Sequence, residues 1–217
     1  SFMELTYKKQ NCTEVTEEFI GKECTLAGWV STVRDLGDII FVEIRDRSGL
    51  FQVVADPKVN PEVYETFGKL RSEFVVQVKG IVSKRPDDTI NDRLKTGMIE
   101  IYPNEIKILS QSKAIPFVLD DETVSEDIRL KYRYLDLRSE KMLNNLKLRH
   151  KIVTAIRNYL NGLDFMEVET PILIKTTPEG ARDYLVPSRV FDGKFFALPQ
   201  SPQIFKQLLM VGGIEKY

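Results

Sequence analysis

The sequence predicts an all-β barrel, followed by a charged connector and then a second unit that opens with a helix. Three observations lead to this fold class. Five segments of alternating, β-prone character occupy roughly the first half of the chain, with a single helical segment between the third and the fourth. The stretch 110–141 is rich in charge and poor in apolar periodicity. We therefore expect domains at 1–109 and 142–217, joined by a hinge at 110–141.

The barrel is predicted from strand order. The predicted strands are Cys24–Val30, Ile39–Arg45, Leu50–Val54, Phe74–Val82 and Met98–Leu109. A short helical segment opens at Pro61 and runs through Leu70. Three strands, a helix and two strands is the order of the OB-fold barrel, a common nucleic-acid-binding scaffold.

Composition excludes several classes of protein. The formal net charge of the 217 residues is -1, so a nucleic-acid surface must be a local basic patch. Two cysteines and one histidine rule out a disulfide framework and argue against a Cys/His metal site. No apolar run is long enough to span a bilayer and no secretory signal is present, so we expect a cytoplasmic protein with no membrane partner.

The second predicted strand carries an aromatic side chain on its polar face. Ile40, Val42 and Ile44 point one way, and Phe41 points the other. Such a ring is either a local packing patch or a stacking platform for a base. On an OB-fold face, with Arg34 just before it, stacking is the favoured interpretation.

The C-terminal part contains a helix start with a possible anion site. Ser201-Pro202 supplies a hydroxyl for the N-cap and a proline for the first helical position, and Gly212-Gly213 ends the helix. Gln203 and Lys206 are three residues apart and share a face. Lysine, amide and free backbone N–H groups together suit a small carboxylate, although a solvated helix face is the alternative.

Two further elements precede this helix. A helix from about Asn145 to Leu160, ended by Gly162, has apolar residues repeating at seven. A strand around Val168 should stop at Pro171. The segment Thr177–Asp183 combines turn formers with mixed charge and is predicted to be a loop.

In order, these segments resemble the bacterial-type aspartyl-tRNA synthetases, class II enzymes with an N-terminal OB-fold. The resemblance is carried by Thr-Pro-Glu-Gly-Ala-Arg-Asp at 177–183, Gln-Ser-Pro-Gln-Ile-Phe-Lys at 200–206 and Arg-Tyr-Leu-Asp-Leu-Arg at 133–138. It implies an α+β catalytic domain with an antiparallel sheet and helices. It also implies ATP and Mg²⁺ as cofactors, L-aspartate and tRNA(Asp) as substrates, and a homodimer.

The resemblance assigns roles to individual residues. Arg34, Phe41, Gln52 and Glu100 match positions expected to contact anticodon bases, although a solvated strand carboxylate remains the alternative for Glu100. Glu179, Ser201, Gln203 and Lys206 match the L-aspartate site, with 177–183 as a mobile lid that brings Glu179 toward the substrate ammonium. Pro171 matches the homodimer interface.

The resemblance stops short of the catalytic motifs. The sequence contains neither motif 2 nor motif 3, which carry the ATP-binding arginines, nor the acidic residues that would hold magnesium. We therefore expect a truncated catalytic domain, no catalytic residue and no metal ligand within this chain, and an inactive fragment of an aspartate–tRNA ligase. A non-catalytic OB-fold module with a remnant amino-acid pocket is the alternative. An asparagine-type relative is disfavoured by Lys206, whose charge suits a carboxylate substrate, and the choice between tRNA(Asp) alone and tRNA(Asn) as well stays open.

Overall fold

The computed structural model describes residues 7–175 and 183–217 and divides into two compact units, 1–121 and 122–217. The division falls inside the segment 110–141. That this segment acts as a hinge remains a prediction.

The first unit is a closed five-stranded barrel, which confirms the predicted OB-fold. Its elements are β1 Glu23–Asp35, β2 Ile40–Asp46, β3 Gly49–Ala55, α1 Pro61–Phe67, β4 Val75–Lys84 and β5 Ile99–Ser110. The strands neighbour one another in the order β1-β2-β3-β5-β4, and β1 closes the barrel by pairing antiparallel with β4. Only β3 and β5 run parallel, through the pair Val53 and Ile101.

Alternation along the strands produces the barrel core. In β2 the residues Ile40, Val42 and Ile44 are buried, while the intervening side chains are half-buried. Helix α1 adds Val63 and Phe67 to this core. Burying such a row of branched side chains away from water is the main favourable term for a barrel of this kind.

Helix α1 is three residues shorter than predicted. It begins where the Asn60 side chain accepts a hydrogen bond from the Val63 N–H at 3.2 Å, with Pro61 at the first helical position. It ends at Phe67, because the Gly68 N–H closes the last turn on the Tyr64 carbonyl and Leu70 turns into the core. The cap and the proline therefore match the sequence pattern, and the core decides the end.

Two glycines permit close approach of strands. A Cβ placed on Gly28 of β1 would overlap the carbonyl oxygen of Arg45 on β2. A Cβ on Gly80 of β4 would lie 2.7 Å from the Ile101 side chain and 2.8 Å from the Tyr102 carbonyl on β5. Both positions therefore require glycine for the barrel to close.

The second unit contains helices and a β-hairpin. Its elements are α2 Glu126–Lys131, α3 Arg133–Asp136, α4 Glu140–Gly162, β6 Tyr184–Pro187, β7 Phe195–Leu198 and α5 Gln203–Val211. The long helix α4 starts five residues earlier than predicted, because the hydroxyl of Ser139 accepts the Met142 N–H and caps it. Its apolar residues remain exposed, among them Leu146, Val153 and Ile156.

The predicted strand around Val168 is wrong: residues 165–170 form no strand. A strand needs a partner to receive its backbone hydrogen bonds. The backbone bond found in this segment joins the Met166 N–H to the Lys216 carbonyl at 2.9 Å. Regular pairing begins only at Ile174, which forms an isolated antiparallel bridge with Ala197 of β7.

None of the helices within residues 7–175 and 183–217 combines the length and apolar character needed to span a bilayer.

Candidate nucleic-acid and amino-acid sites

The first candidate site is an arginine–aromatic pair on the outer face of the barrel. Arg34 of β1 and Phe41 of β2 are directly opposite each other in the antiparallel ladder. The guanidinium carbon of Arg34 lies 5.1 Å from the centre of the Phe41 ring, within the range of a cation–π contact. Arg34 is exposed and Phe41 is half-buried. The pair therefore presents a flat, positively charged platform to solvent.

Gln52 and Glu100 form a second pair, which the sequence did not predict. The Gln52 Nε2 donates to the Glu100 Oε2 at 2.9 Å, from β3 to the adjacent β5. Glu100 is only 1% exposed and Gln52 6%. The alternative of a solvated carboxylate for Glu100 is therefore wrong. Both residues point away from the barrel interior, and the chain between β4 and β5 lies against that face, as the 2.6 Å bond from the Thr96 hydroxyl to the Leu50 carbonyl shows.

Arg85, just beyond β4, completes this cluster and was missed at the level of sequence. Its Nε donates to the Ile99 carbonyl at 2.9 Å and its Nη1 to the Thr89 carbonyl at 3.1 Å. Its Nη2 is buried and has no hydrogen-bond partner among the described residues. A basic pair, Lys84-Arg85, at the end of a strand and ahead of a proline was the available signal. The guanidinium thus keeps one N–H group without an acceptor.

Burial and charge act in opposite directions on this cluster. Burial raises the pKa of Glu100, while the hydrogen bond from Gln52 and the charge of Arg85 lower it. Burial lowers the pKa of Arg85, and the charges of Glu100 and Glu43 raise it. Each charged group therefore offsets part of the desolvation cost of the other.

The second unit brings together three of the four predicted aspartate-site residues. Gln203 is the first residue of α5, and its N–H donates to the Ser201 hydroxyl at 3.2 Å. The Lys206 N–H closes the first turn on the Pro202 carbonyl. The cap therefore differs from the prediction: Pro202 stands at the N-cap position and Ser201 precedes it. Ser201, Gln203 and Lys206 all remain exposed at this helix start, which suits a small anion.

The remaining predicted residues are less informative. Glu179, and with it the predicted lid 177–183 except for Asp183, lies outside the described residues. Pro171 is described and exposed. Within the described residues no group of three or more His, Cys, Asp and Glu side chains could hold a metal ion, so they do not fit the Mg²⁺ that the resemblance implies.

Comparison with known proteins agrees with both units. Residues 24–109 match the family model of the OB-fold nucleic acid binding domain. Residues 125–217 match that of the class II tRNA synthetases for D, K and N. The chain belongs to the class II tRNA synthetases, in the group whose synthetase segment follows an OB-fold.

Individual relatives narrow this group to aspartate. The chain is 58% identical over 207 residues to the aspartate–tRNA(Asp/Asn) ligase of Desulfotalea psychrophila, covering 95% of this chain and 34% of the relative. It is 53% identical over 208 residues to the aspartate–tRNA ligase of Staphylococcus aureus, covering 95% of this chain and 35% of the relative. The chain thus spans about a third of the length of the curated relatives it matches.

Solved structures agree on the fold. The chain matches an asparaginyl-tRNA synthetase from Pyrococcus horikoshii in complex with asparaginyl-adenylate with a TM-score of 0.81 and 30% identity, covering 95% of this chain and 46% of that one. It matches a putative aspartyl-tRNA synthetase from Leishmania major with a TM-score of 0.82 and 25% identity, covering 98% and 43%.

Proposed function

We propose that this chain forms the anticodon-binding barrel and part of the amino-acid site of an aspartate–tRNA ligase. The full-length enzyme would activate L-aspartate with ATP to an aspartyl-adenylate and transfer it to the terminal ribose of tRNA(Asp). The observation that carries the proposal is the outer face of the barrel, where the Arg34–Phe41 platform and the Gln52–Glu100 pair lie on neighbouring strands.

The chemistry of this face suits a single-stranded anticodon. A base stacks on the Phe41 ring, and the Arg34 guanidinium adds its charge toward the RNA backbone. Gln52 and Glu100 offer amide and carboxylate groups to base edges, which supply the specificity that stacking lacks. Arg85, with its unpaired Nη2 beside them, is a further donor for the RNA. A chain with a net charge of -1 needs such a local arrangement to bind RNA.

The start of α5 suits L-aspartate. Lys206 neutralises the side-chain carboxylate of the substrate, and Gln203 and Ser201 provide polar contacts beside it. Glu179 pairs with the substrate ammonium when the loop 177–183 closes. A cation for the carboxylate and an anion for the ammonium is the complementarity that an α-amino dicarboxylic acid requires.

The remaining properties follow from membership of this class. ATP supplies the energy for activation, and Mg²⁺ would accompany it on residues outside this chain, because the described residues offer no metal site. Pro171 and the exposed apolar side of α4 would contribute to a homodimer, since a row of exposed apolar side chains marks an interaction surface. Protein synthesis would place the enzyme in the cytoplasm.

Two measurements test this proposal. This chain should bind the anticodon stem–loop of tRNA(Asp) in a fluorescence titration, and a stem–loop with a scrambled anticodon should bind more weakly. The full-length ligase should catalyse aspartate-dependent pyrophosphate exchange, while the chain of 217 residues should not. Equal binding of both stem–loops, or exchange driven by asparagine in preference to aspartate, would refute the proposal.

A further inference from the structure

The Gln52–Glu100 hydrogen bond has a direction that chemistry dictates. An ionised carboxylate has only acceptor oxygens, so the Gln52 amide must turn its Nε2 toward Glu100. The 2.9 Å distance between Nε2 and Oε2 agrees with this orientation. The amide carbonyl Oε1 is therefore the group that remains available for another contact.

The surroundings support a single orientation. Both side chains are almost completely buried, so water does not compete effectively for the amide. Arg85 holds a positive charge close to Glu100, which favours the ionised carboxylate over the protonated one. The residue opposite Gln52 in the β2–β3 ladder is Glu43, a second group that accepts when ionised. Arg85, Glu100 and Glu43 together favour an amide whose N–H groups are directed toward carboxylates.

A fixed acceptor distinguishes bases in a way that a free amide does not. At the ring nitrogen of the Watson–Crick edge, uracil and guanine carry an N–H donor, whereas cytosine and adenine carry a bare acceptor nitrogen. A glutamine that can turn over presents either its Oε1 or its Nε2 and accepts both kinds of edge. A glutamine held with Oε1 outward accepts only the donor kind.

We propose that Glu100 is a positioning residue for Gln52, holding its amide so that the barrel prefers U or G over C or A at the anticodon position that Gln52 contacts. This inference rests on the proposed function of the barrel face as an anticodon site. It adds a role for Glu100 that acts through its neighbour, besides any contact of its own with RNA. It also explains why a carboxylate is buried beside an amide on the outer face of a barrel.

The test measures base preference rather than affinity alone. Stem–loops carrying each of the four bases at each anticodon position are titrated against this chain at one fixed salt concentration. At one position the wild-type chain should bind U or G loops about tenfold tighter than C or A loops, the smaller cost of leaving a buried polar group unpaired. In Glu100→Gln, which keeps the shape but lets the amide turn over, that ratio should fall to about threefold or less.

An exchange of the two side chains provides the rescue. In the double variant Gln52→Glu with Glu100→Gln, the amide at 100 donates to the carboxylate at 52, whose second oxygen again faces outward as an acceptor. The preference for U or G should return to about its wild-type ratio. Glu105→Gln is the matched control, because Glu105 is an exposed glutamate of the same strand β5 and its change should leave the ratio unaltered.

Each outcome decides the matter. A wild-type ratio that persists in Glu100→Gln, or fails to return in the exchanged variant, overturns the positioning role while leaving anticodon binding intact. A wild-type chain without any preference for U or G also overturns it. Wild-type chain that binds no stem–loop at all overturns the proposed function together with this inference. Thermal unfolding of each variant shows that it is folded, and if Glu100→Gln does not fold, the exchanged variant alone decides.

Discussion

The guanidinium of Arg34 lies over the ring of Phe41, 5.1 Å from its centre, and the two residues are directly paired across β1 and β2. The arginine occupies a position beside the ring that an RNA phosphate can share, and the exposed part of the ring remains open to a base. The barrel thereby offers stacking and charge at a single point of its surface, before any RNA is bound.

The first prediction concerns the Phe41 ring. Phe41→Ala should weaken binding of the anticodon stem–loop by about 1–3 kcal/mol, because one stacked base is lost. Fluorescence titration at matched salt measures the change. Phe191→Ala is the control, since Phe191 is an exposed phenylalanine of the second unit. Unchanged affinity in Phe41→Ala would show that the ring has only a packing role.

The second prediction concerns the Arg34 charge. Arg34→Gln should reduce the slope of the logarithm of the binding constant against the logarithm of salt concentration by about 1, the loss of roughly one phosphate contact. Arg93→Gln removes an exposed arginine from the chain between β4 and β5 and should change the slope less. An identical slope in Arg34→Gln and wild type would contradict a phosphate contact.

The third prediction concerns pH and a buried carboxylate of the barrel. Asp46 accepts hydrogen bonds from the side chain and N–H of Ser48, from the Cys12 N–H and from the Lys8 ammonium. Burial alone would raise its pKa, but these bonds outweigh burial and lower the pKa from 3.8 to about 2. Because the pKa is lower in the folded state, the stabilisation is fully present above about pH 4 and is lost as the pH falls toward 2.

Denaturant unfolding as a function of pH measures this effect. The free energy of unfolding should decrease by on the order of 2 kcal/mol between pH 5 and pH 2 owing to Asp46, and Asp46→Asn should flatten that part of the profile. Asp38→Asn, at an exposed aspartate of the β1–β2 loop, is the control and should keep the wild-type slope. A profile of Asp46→Asn parallel to the wild type would contradict the prediction.

The fourth prediction concerns the aspartate site. In the full-length ligase, Lys206→Ala should raise the KM for aspartate at least about tenfold, the loss of one charge-assisted contact, and should change the KM for ATP little. Lys194→Ala removes an exposed lysine between β6 and β7 and should leave both constants near wild type. Equal damage to both substrates would indicate that Lys206 has a structural role.

The fifth prediction concerns the long helix α4. Leu146, Val153, Ile156 and Leu160 are between 37% and 54% exposed, so the chain should self-associate through this side of the helix. Ile156→Lys should lower the average mass measured by sedimentation at a given concentration. Thr154→Lys adds the same charge two residues away, on another side of the helix, and should have the smaller effect. A monomeric wild-type chain over a wide concentration range would exclude this surface.

Local pattern predicted the barrel well because its strands alternate strictly and its turns contain specific residues. Ile40, Val42 and Ile44 are buried as the period of two requires, and the Asn60 and Pro61 pair starts α1 where expected. The ends of elements were predicted less well. Ser139 caps α4 five residues ahead of the expected start, and the expected strand at Val168 is absent, since its pairing depends on a partner distant in sequence.

The sequence by itself determined the order of the barrel strands, the exposed ring at Phe41, and the motifs that identify the synthetase class, because these depend on local periodicity and on contiguous residues. Only the tertiary structure decided that Glu100 is buried against Gln52 and that Arg85 lies beside them. These residues come from β3, from β5 and from the chain after β4, and β3 meets β5 only because the barrel closes. Burial of a polar side chain depends on which distant segment covers it, and no local pattern records that contact.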